Sequence, residues 1–371
     1  MNRYKLSVPL GDHSYSSIYK AENIETHEVV ALKIMKKKFY SWQECMSLRE
    51  IKVLRTLQHP NILRLKEVIR NKDELYLVYE YLEENLFKYY QGLRDKGKVL
   101  TESQIKSYMS QLISCVNYIH KVGYFHRDLT LENIYIDSEN SIRIGHFNNA
   151  REINARPPLT DYISTRWYRA PEQLLRANNY TYKIDIFAMG CIMAELFLMG
   201  PLFSGTSEID QLTKICSLLG TPSHKDWPEF FTLAQKLKIQ LPECQPKNFH
   251  YFLSEASNEA IDLMQKMLVF NPQKRWNCGE LLNHPFFVGG FINNVSSPKN
   301  GLVKGFGSSD KLKIEVKKID DKGKNEKDKK KVVSGLEAIN GKDKEKSSEE
   351  EFKSGNVGLK SGIKSLFAKR V

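Results

Sequence analysis

The chain has no paired cysteines and no long apolar run. Its six cysteines (Cys45, Cys115, Cys191, Cys216, Cys244 and Cys278) are scattered, with no C-x-x-C pair. That spacing argues against a zinc site or a disulfide framework and fits a reducing cytosolic or nuclear setting. No stretch reaches the ~18 consecutive apolar residues of a membrane helix, so no integral membrane segment is expected. The start, Met1-Asn2-Arg3-Tyr4-Lys5, lacks an apolar signal region. A surplus of acid is missing too: the 371 residues carry a net charge of +12. Residues 291–371 hold 20 Lys+Arg against 12 Asp+Glu, a net of +8, which leaves +4 for the first 290. The basic character therefore belongs to the tail, and no nucleic-acid partner is expected for the rest. Hydrophobic residues at 41% can fill a sizeable core.

What is present is a set of spaced motifs. His126-Arg127-Asp128-Leu129-Thr130-Leu131-Glu132-Asn133 matches H-R-D-L-x-x-x-N at every specified position. It follows a helix-like stretch and precedes the short apolar run Ile134-Tyr135-Ile136. Upstream, Val29-Val30-Ala31-Leu32-Lys33-Ile34 reads as an apolar strand carrying one lysine. Glu50 follows inside a helical pattern over Ser41–Leu57, which Ser41-Trp42-Gln43-Glu44 opens as a capping box. Downstream, Thr160-Asp161-Tyr162 precedes Arg166-Trp167-Tyr168-Arg169-Ala170-Pro171-Glu172. Ile105, Tyr108, Met109, Leu112, Ile113, Val116 and Ile119 fall at helical spacing and read as core.

These motifs together resemble the protein kinases related to cyclin-dependent and mitogen-activated kinases. The resemblance runs over about residues 1–288 and is strongest to the group of male germ cell-associated kinase and intestinal cell kinase. Tyr81-Leu82-Glu83-Glu84-Asn85-Leu86, Leu219-Gly220-Thr221-Pro222 and Asp226-Trp227-Pro228-Glu229 add to it. It implies an α+β, two-lobed kinase fold: a β-rich N-lobe over about 1–80 and a helical C-lobe over about 83–288. It also implies ATP and Mg²⁺ as cofactors and protein substrates modified on Ser or Thr, usually before Pro. On that pattern Asp128 would take the substrate hydroxyl proton, and Lys33, paired with Glu50, would reach the ATP phosphates. Gly11, Ile18, Ala31, Glu80 and Leu82 would line the nucleotide site, with Tyr79 at its back. Asn133 would hold metal. Phosphate on Thr160 or Tyr162, placed at Thr160 by an upstream kinase, would meet Arg127 and Arg169. Glu172 would pair with Arg275, and Asp185 would brace the catalytic loop. The resemblance alone implies a role at a cilium or flagellum.

Four departures from the family pattern cluster around the phosphates. His146-Phe147-Asn148 stands where Asp-Phe-Gly is expected, so the metal-binding carboxylate has become an imidazole. Mg²⁺ takes oxygen ligands, whereas imidazole suits softer ions. Losing that carboxylate should cost roughly 10²- to 10⁴-fold in rate, about 3–5 kcal/mol of barrier. The phosphate-covering loop Leu10-Gly11-Asp12-His13-Ser14-Tyr15-Ser16-Ser17-Ile18 keeps only Gly11 of three glycines. His13 and Ser16 add side chains, and Asp12 adds a negative charge beside the phosphates. Thr130 stands where a lysine would neutralise the γ-phosphate. Asn148 follows Phe147 in place of glycine and is among the better non-glycine residues at positive φ.

The functional expectation is a degraded member acting mainly by protein binding in signalling, as a monomer. One alternative is an active Pro-directed Ser/Thr kinase, which would need one metal held by Asn133 and another acid, or a nonstandard ion such as Mn²⁺ with His146 as ligand. Another is a tail-driven binder of microtubules, membranes or nucleic acid. Residues 289–371 read as a disordered, Lys-rich tail. It contains the basic run Lys327–Lys331 and two apolar groups (Leu312, Ile314, Val316; Ile363, Leu366, Phe367) that would suit docking.

Overall fold

Strand and helix formation follow the two hydrophobic periods in the sequence. The computed structural model describes residues 3–156 and 166–288 and the backbone of Glu315–Val316. Five antiparallel strands come first: β1 (Tyr4–Asp12), β2 (Ser16–Asn23), β3 (Val29–Met35), β4 (Leu65–Asn71) and β5 (Glu74–Glu80), in the spatial order β1-β2-β3-β5-β4. The period of two sorts their faces. Val30, Leu32, Tyr76 and Val78 form a small core on one side. Leu75, Leu77 and Tyr79 join the main core on the other, where Ile51 of the adjoining helix also lies. The same alternation puts Ala31 and Lys33 on one face of β3.

That adjoining helix is not one element. The sequence predicts a single helix over Ser41–Leu57, but it splits into α1 (Trp42–Ser47) and α2 (Arg49–Thr56). Leu48 between them has φ −57° and ψ 132°, outside the helical region. The capping box is half formed. Ser41 Oγ accepts the Glu44 N–H at 3.1 Å, but the Glu44 carboxylate accepts from the Tyr40 N–H at 3.0 Å instead of from Ser41.

The rest is mainly helical: α3 (Leu86–Asp95), α4 (Glu102–Lys121), α5 (Pro171–Leu174), α6 (Lys183–Leu198), α7 (Glu208–Leu219), α8 (Pro228–Lys236), α9 (Asn258–Met267) and α10 (Cys278–Leu282). Short strands β6 (Glu84–Asn85), β8 (Ile134–Ile136) and β9 (Ile142–Ile144) form one ribbon; β7 (Tyr124–Phe125) pairs with β10 (Arg151–Glu152). The α4 stripe is buried as its spacing predicts, and Thr101 with Gln104 closes a full capping box. In α6, Ile184 through Leu196 are all buried, so this helix is the axis of the lobe. Gly190 on it allows close packing, since a Cβ there would lie 2.8 Å from Leu268.

Two buried polar clusters tie the lobe together. Arg275 donates to both carboxylate oxygens of Glu172, at 2.6 and 2.7 Å, in a bidentate pair. Glu195 accepts from the hydroxyls of Tyr90 (2.8 Å) and Tyr168 (2.7 Å). Burial, the largest influence, pushes Glu195 up to about 7 against the two hydrogen bonds. Finally, β11 (Glu315–Val316) pairs in parallel with β4, Glu315 opposite Glu67 and Val316 opposite Val68. The remaining tail features, including Lys327–Lys331 and the apolar group Ile363, Leu366 and Phe367, lie outside the described residues.

Candidate active site

Lys33 lies in the middle of β3 and Glu50 in the first turn of α2, and the fold joins them. Lys33 Nζ donates to Glu50 Oε2 at 2.7 Å, with both side chains buried. The other Glu50 oxygen accepts from the Tyr79 hydroxyl at 2.7 Å. Burial disfavours the Glu50 charge, but the Lys33 charge and the two hydrogen bonds win and hold its carboxyl below the usual range. Tyr79 thus anchors Glu50 as well as walling the cleft, a role not legible in the sequence.

The catalytic-loop motif is braced from α6. One Asp185 oxygen accepts the N–H of His126 at 2.8 Å and contacts His120 Nε2 at 2.9 Å. The other accepts the N–H of Arg127 at 2.8 Å. Arg127 takes φ 73°, a left-handed turn that these bonds hold in place. Beyond it, Asn133 Nδ2 donates to the Asp128 carbonyl at 2.8 Å. Burial raises the Asp128 carboxyl, opposed by His126, by an Asn149 hydrogen bond and by Arg169. Asn149 Nδ2 reaches Asp128 Oδ2 at 3.1 Å. Sequence reasoning missed Asn149; the signal was an amide just past Phe147, where the chain turns back over the loop. Thr130 Oγ1 caps the following turn by accepting the Asn133 N–H at 3.3 Å.

The phosphate end departs furthest from expectation. His146 adopts φ 62° and ψ 53°, so the left-handed residue is His146 and not Asn148. Asn148 lies inside the 3-10 turn Phe147–Asn149, where no positive φ is needed, and its Oδ1 is buried with no hydrogen-bond partner. Burial, then the nearby Lys33, pushes the His146 ring down to about 4, only partly opposed by Glu50. The ring is therefore neutral at pH 7 and does not repel a cation by charge. Phe147 is buried edge-on to His126, with ring centroids 4.9 Å apart.

Asp12 also differs from expectation. It is exposed and turned to Lys36, whose Nζ donates to it at 3.0 Å, and to Ser17 Oγ at 2.6 Å. Its charge is spent outside the cleft. The turn joining β1 to β2 is pinned by the His13 N–H on the Ser16 carbonyl (2.8 Å) and the Lys36 N–H on the Tyr15 carbonyl (3.0 Å). From this turn His13 stacks on Tyr15 at 5.9 Å and meets His146 edge-on at 5.7 Å. Lys33 Nζ lies 5.3 Å from the Tyr15 ring centroid. Burial, then the Glu50 and Asp128 carboxylates, raises the Tyr15 hydroxyl to about 12.

A cleft of about 760 Å³ brings the expected residues together, a volume within the ~300–1,000 Å³ of small-molecule sites. Gly11, Ile18, Ala31, Lys33, Glu50, Glu80, Leu82, Asp128, Asn133 and His146 all line it. The Glu80 N–H is already committed to the Arg64 carbonyl at 3.0 Å, so it is not free for a base. The donors do not fit Mg²⁺: a hard ion needs oxygens, and His146 offers nitrogen. Among the described residues no group of three or more His, Cys, Asp or Glu is arranged to hold a metal. Arg127 and Arg169 line one small cavity with Asp128 and Asp185. Arg127 Nη1 donates to the Asn149 carbonyl at 3.2 Å, and Arg169 Nη1 reaches Glu208 at 3.4 Å. Thr160 and Tyr162 lie outside the described residues. No described helix is long and apolar enough to cross a membrane.

Comparison with known proteins agrees with this geometry. A family model described as "Protein kinase domain" matches residues 4–287. The chain is 48% identical over 297 residues to serine/threonine-protein kinase MAK of Homo sapiens, covering 80% of this chain and 47% of that protein. It is 47% identical over 301 residues to serine/threonine-protein kinase ICK of Rattus norvegicus, covering 81% and 47%. It is 44% identical over 293 residues to cyclin-dependent kinase F-3 of Oryza sativa subsp. japonica, covering 79% and 67%. The chain spans about half the length of the first two relatives.

Proposed function

The chain belongs to the protein kinase family, in its serine/threonine group, and from that premise we propose that it transfers phosphoryl groups slowly or not at all. It acts in signalling chiefly by binding other proteins through a kinase-shaped body spanning about residues 1–288. His146 carries this reading. It is a neutral, half-buried imidazole at the phosphate end of the cleft, where a metal-anchoring carboxylate is needed. Mg²⁺ would have only Asn133 as a protein ligand there. ATP, when bound, supplies the phosphoryl group. Lys33 would hold its phosphates, Asp128 would accept the substrate hydroxyl proton, and Asn133 would keep the Asp128 backbone in place.

One set of observations favours a second reading, an active Ser/Thr kinase directed to Pro-flanked sites and switched on at Thr160 or Tyr162. Lys33 and Glu50 are paired at 2.7 Å. Burial raises the proton affinity of Asp128, as suits a general base. The relatives carry the name serine/threonine-protein kinase. The deciding measurement is phosphate transfer from labelled ATP to Ser/Thr-Pro peptides by the full chain, with Mg²⁺ and with Mn²⁺, beside an Asp128→Asn variant. We expect the natural chain to stay within about tenfold of the variant. An Asp128-dependent rate of ~1–100 s⁻¹, the usual kinase range, would establish the second reading. The ciliary role carried by family resemblance is tested separately, by locating the tagged chain in ciliated cells.

A further inference from the structure

We propose that the open edge of β4 is a peptide-docking site, and that the chain's own tail, residues 311–317, occupies it as a sixth strand. The site lies apart from the cleft, which no residue of β4 lines. The proposal therefore stands whether or not the chain transfers phosphate.

In the order β1-β2-β3-β5-β4, the last strand pairs with β5 on one side and ends the five-stranded sheet on the other. Such an edge presents a row of backbone N–H and C=O groups to any strand that can pair with them. Among the described residues the strand that does so is β11, in parallel, with Glu315 opposite Glu67 and Val316 opposite Val68.

Register and sequence pattern agree, although neither dictates the other. Paired positions share a face of the sheet, and faces alternate with a period of two. Val68 is fully buried in the main core that Ile51 of α2 also joins. Glu67 lies on the opposite face, where its carboxylate accepts from Arg3 at 2.5 Å and from the Tyr4 hydroxyl at 2.9 Å. The register thus assigns position 316 to the core face, and the period extends that face to positions 314 and 312. These are the apolar members of Lys311-Leu312-Lys313-Ile314-Glu315-Val316-Lys317. Positions 311, 313, 315 and 317, all charged, fall to the Glu67 face. A slip of one residue would turn three lysines and a glutamate toward the core. The alternation stops at Lys318, which bounds the strand.

The length of the connection favours the tail of the same molecule over that of a second copy. Twenty-six residues, 289–314, join the end of the domain to β11. A chain of that length spans up to about 85 Å, so its reach does not prevent docking in cis. A tether of this kind gives an effective concentration on the order of 1 mM. A strand with an intrinsic Kd of about 0.1 mM would then be docked roughly nine-tenths of the time in cis, and rarely between molecules at micromolar concentration. While the tail is docked, the edge is closed to other extended peptides of alternating apolar and basic residues.

The test is hydrogen exchange of the β4 amides in the full chain at low micromolar concentration. It is repeated on Ile314→Asp, which puts charge on the apolar face, and on Lys313→Ser, which alters only the other face. The β4 amides that point away from β5 should exchange about tenfold faster in Ile314→Asp, the ratio of effective concentration to Kd. Lys313→Ser should keep the natural rates. A labelled peptide of residues 310–318, followed by fluorescence anisotropy, should bind Ile314→Asp about tenfold more tightly than the natural chain, whose edge is already occupied. The proposal is overturned if Ile314→Asp leaves β4 exchange unchanged, if the two variants act alike, or if the peptide binds neither chain or both equally. Protection that falls on dilution, together with a dimer in sedimentation, would assign the strand to a second copy and overturn docking in cis.

Discussion

Replacing His146 by Asp should restore a metal-dependent response to ATP. The site is prepared for the change. The backbone at φ 62° and ψ 53° is one that Asp and Asn tolerate better than most residues. Lys33 lies close enough to depress the histidine, so it would stabilise a carboxylate in the same place. The new oxygens would join Asn133 as hard ligands for Mg²⁺. If they tighten Mg·ATP tenfold, the gain is ~1.4 kcal/mol at saturating ligand. For a domain of this size that is a rise of about 2–4 °C in melting temperature beyond the natural chain's own shift. Any peptide-phosphorylation rate should rise by roughly 10²-fold or more. The assay is thermal shift of the full chain with ATP, with and without Mg²⁺, followed by phosphate transfer. The reasoning fails if the natural chain already shows the larger metal-dependent shift. It also fails if the variant folds and binds ATP with no gain from Mg²⁺.

Four further outcomes follow from the buried polar groups. Lys33→Met leaves Glu50 buried with only Tyr79 as partner, so it should destabilise by ~3–5 kcal/mol in urea unfolding, while Glu50→Gln should cost less. Because Glu50 is held low, its contribution is full above the ordinary carboxylate range near ~4 and is lost as pH falls below it; Glu50→Gln should therefore flatten the acid limb of the stability curve. Arg275→Met strands Glu172 in the C-lobe core and should cost ~3–5 kcal/mol, read as a lower urea midpoint at unchanged slope. Glu195 titrates the opposite way: raised to about 7, it favours the fold at low pH and loses that contribution as pH rises from ~4.3 through about 7. Glu195→Gln should thus raise the melting temperature at pH 8 relative to the natural chain and give no such gain at pH 5.

Much of this architecture was legible because its physics is local. The α4 stripe, the β3 lysine and the loop ending at Asn133 each announce themselves by spacing, and each lies where its spacing predicts. Long-range pairings were legible only through family resemblance: nothing near Arg275 points to Glu172, 103 residues away. The errors arose where side chains compete for backbone or for charge. The break at Leu48 was invisible, because Leu is a good helix former and tertiary packing overrode that preference. Asn148 looked like the residue that replaces a glycine's freedom, yet the chain turns one step earlier, at His146 itself. Asp12 looked like a charge beside the phosphates until Lys36, just past the end of β3, drew it outward. The row formed by Tyr15, His13 and His146 could not be read at all, since it depends on how a loop folds back across more than a hundred residues.

The break at Leu48 also changes what Glu50 is. In an unbroken helix from Trp42 to Thr56, Glu50 would sit mid-rod, where the macrodipole is nearly neutral. Because α2 begins at Arg49, Glu50 falls in a first turn, and the free N–H groups there favour its negative charge. The carrier is also short. α2 is eight residues long, a rod of about 12 Å, joined to α1 through one extended residue. The segment before it is anchored, since Cys45 is buried in the main core and Trp42, Met46 and Leu48 pack against it. The break at Leu48 thus moves a helix start, with its unpaired N–H groups, to the place where the buried carboxylate needs them.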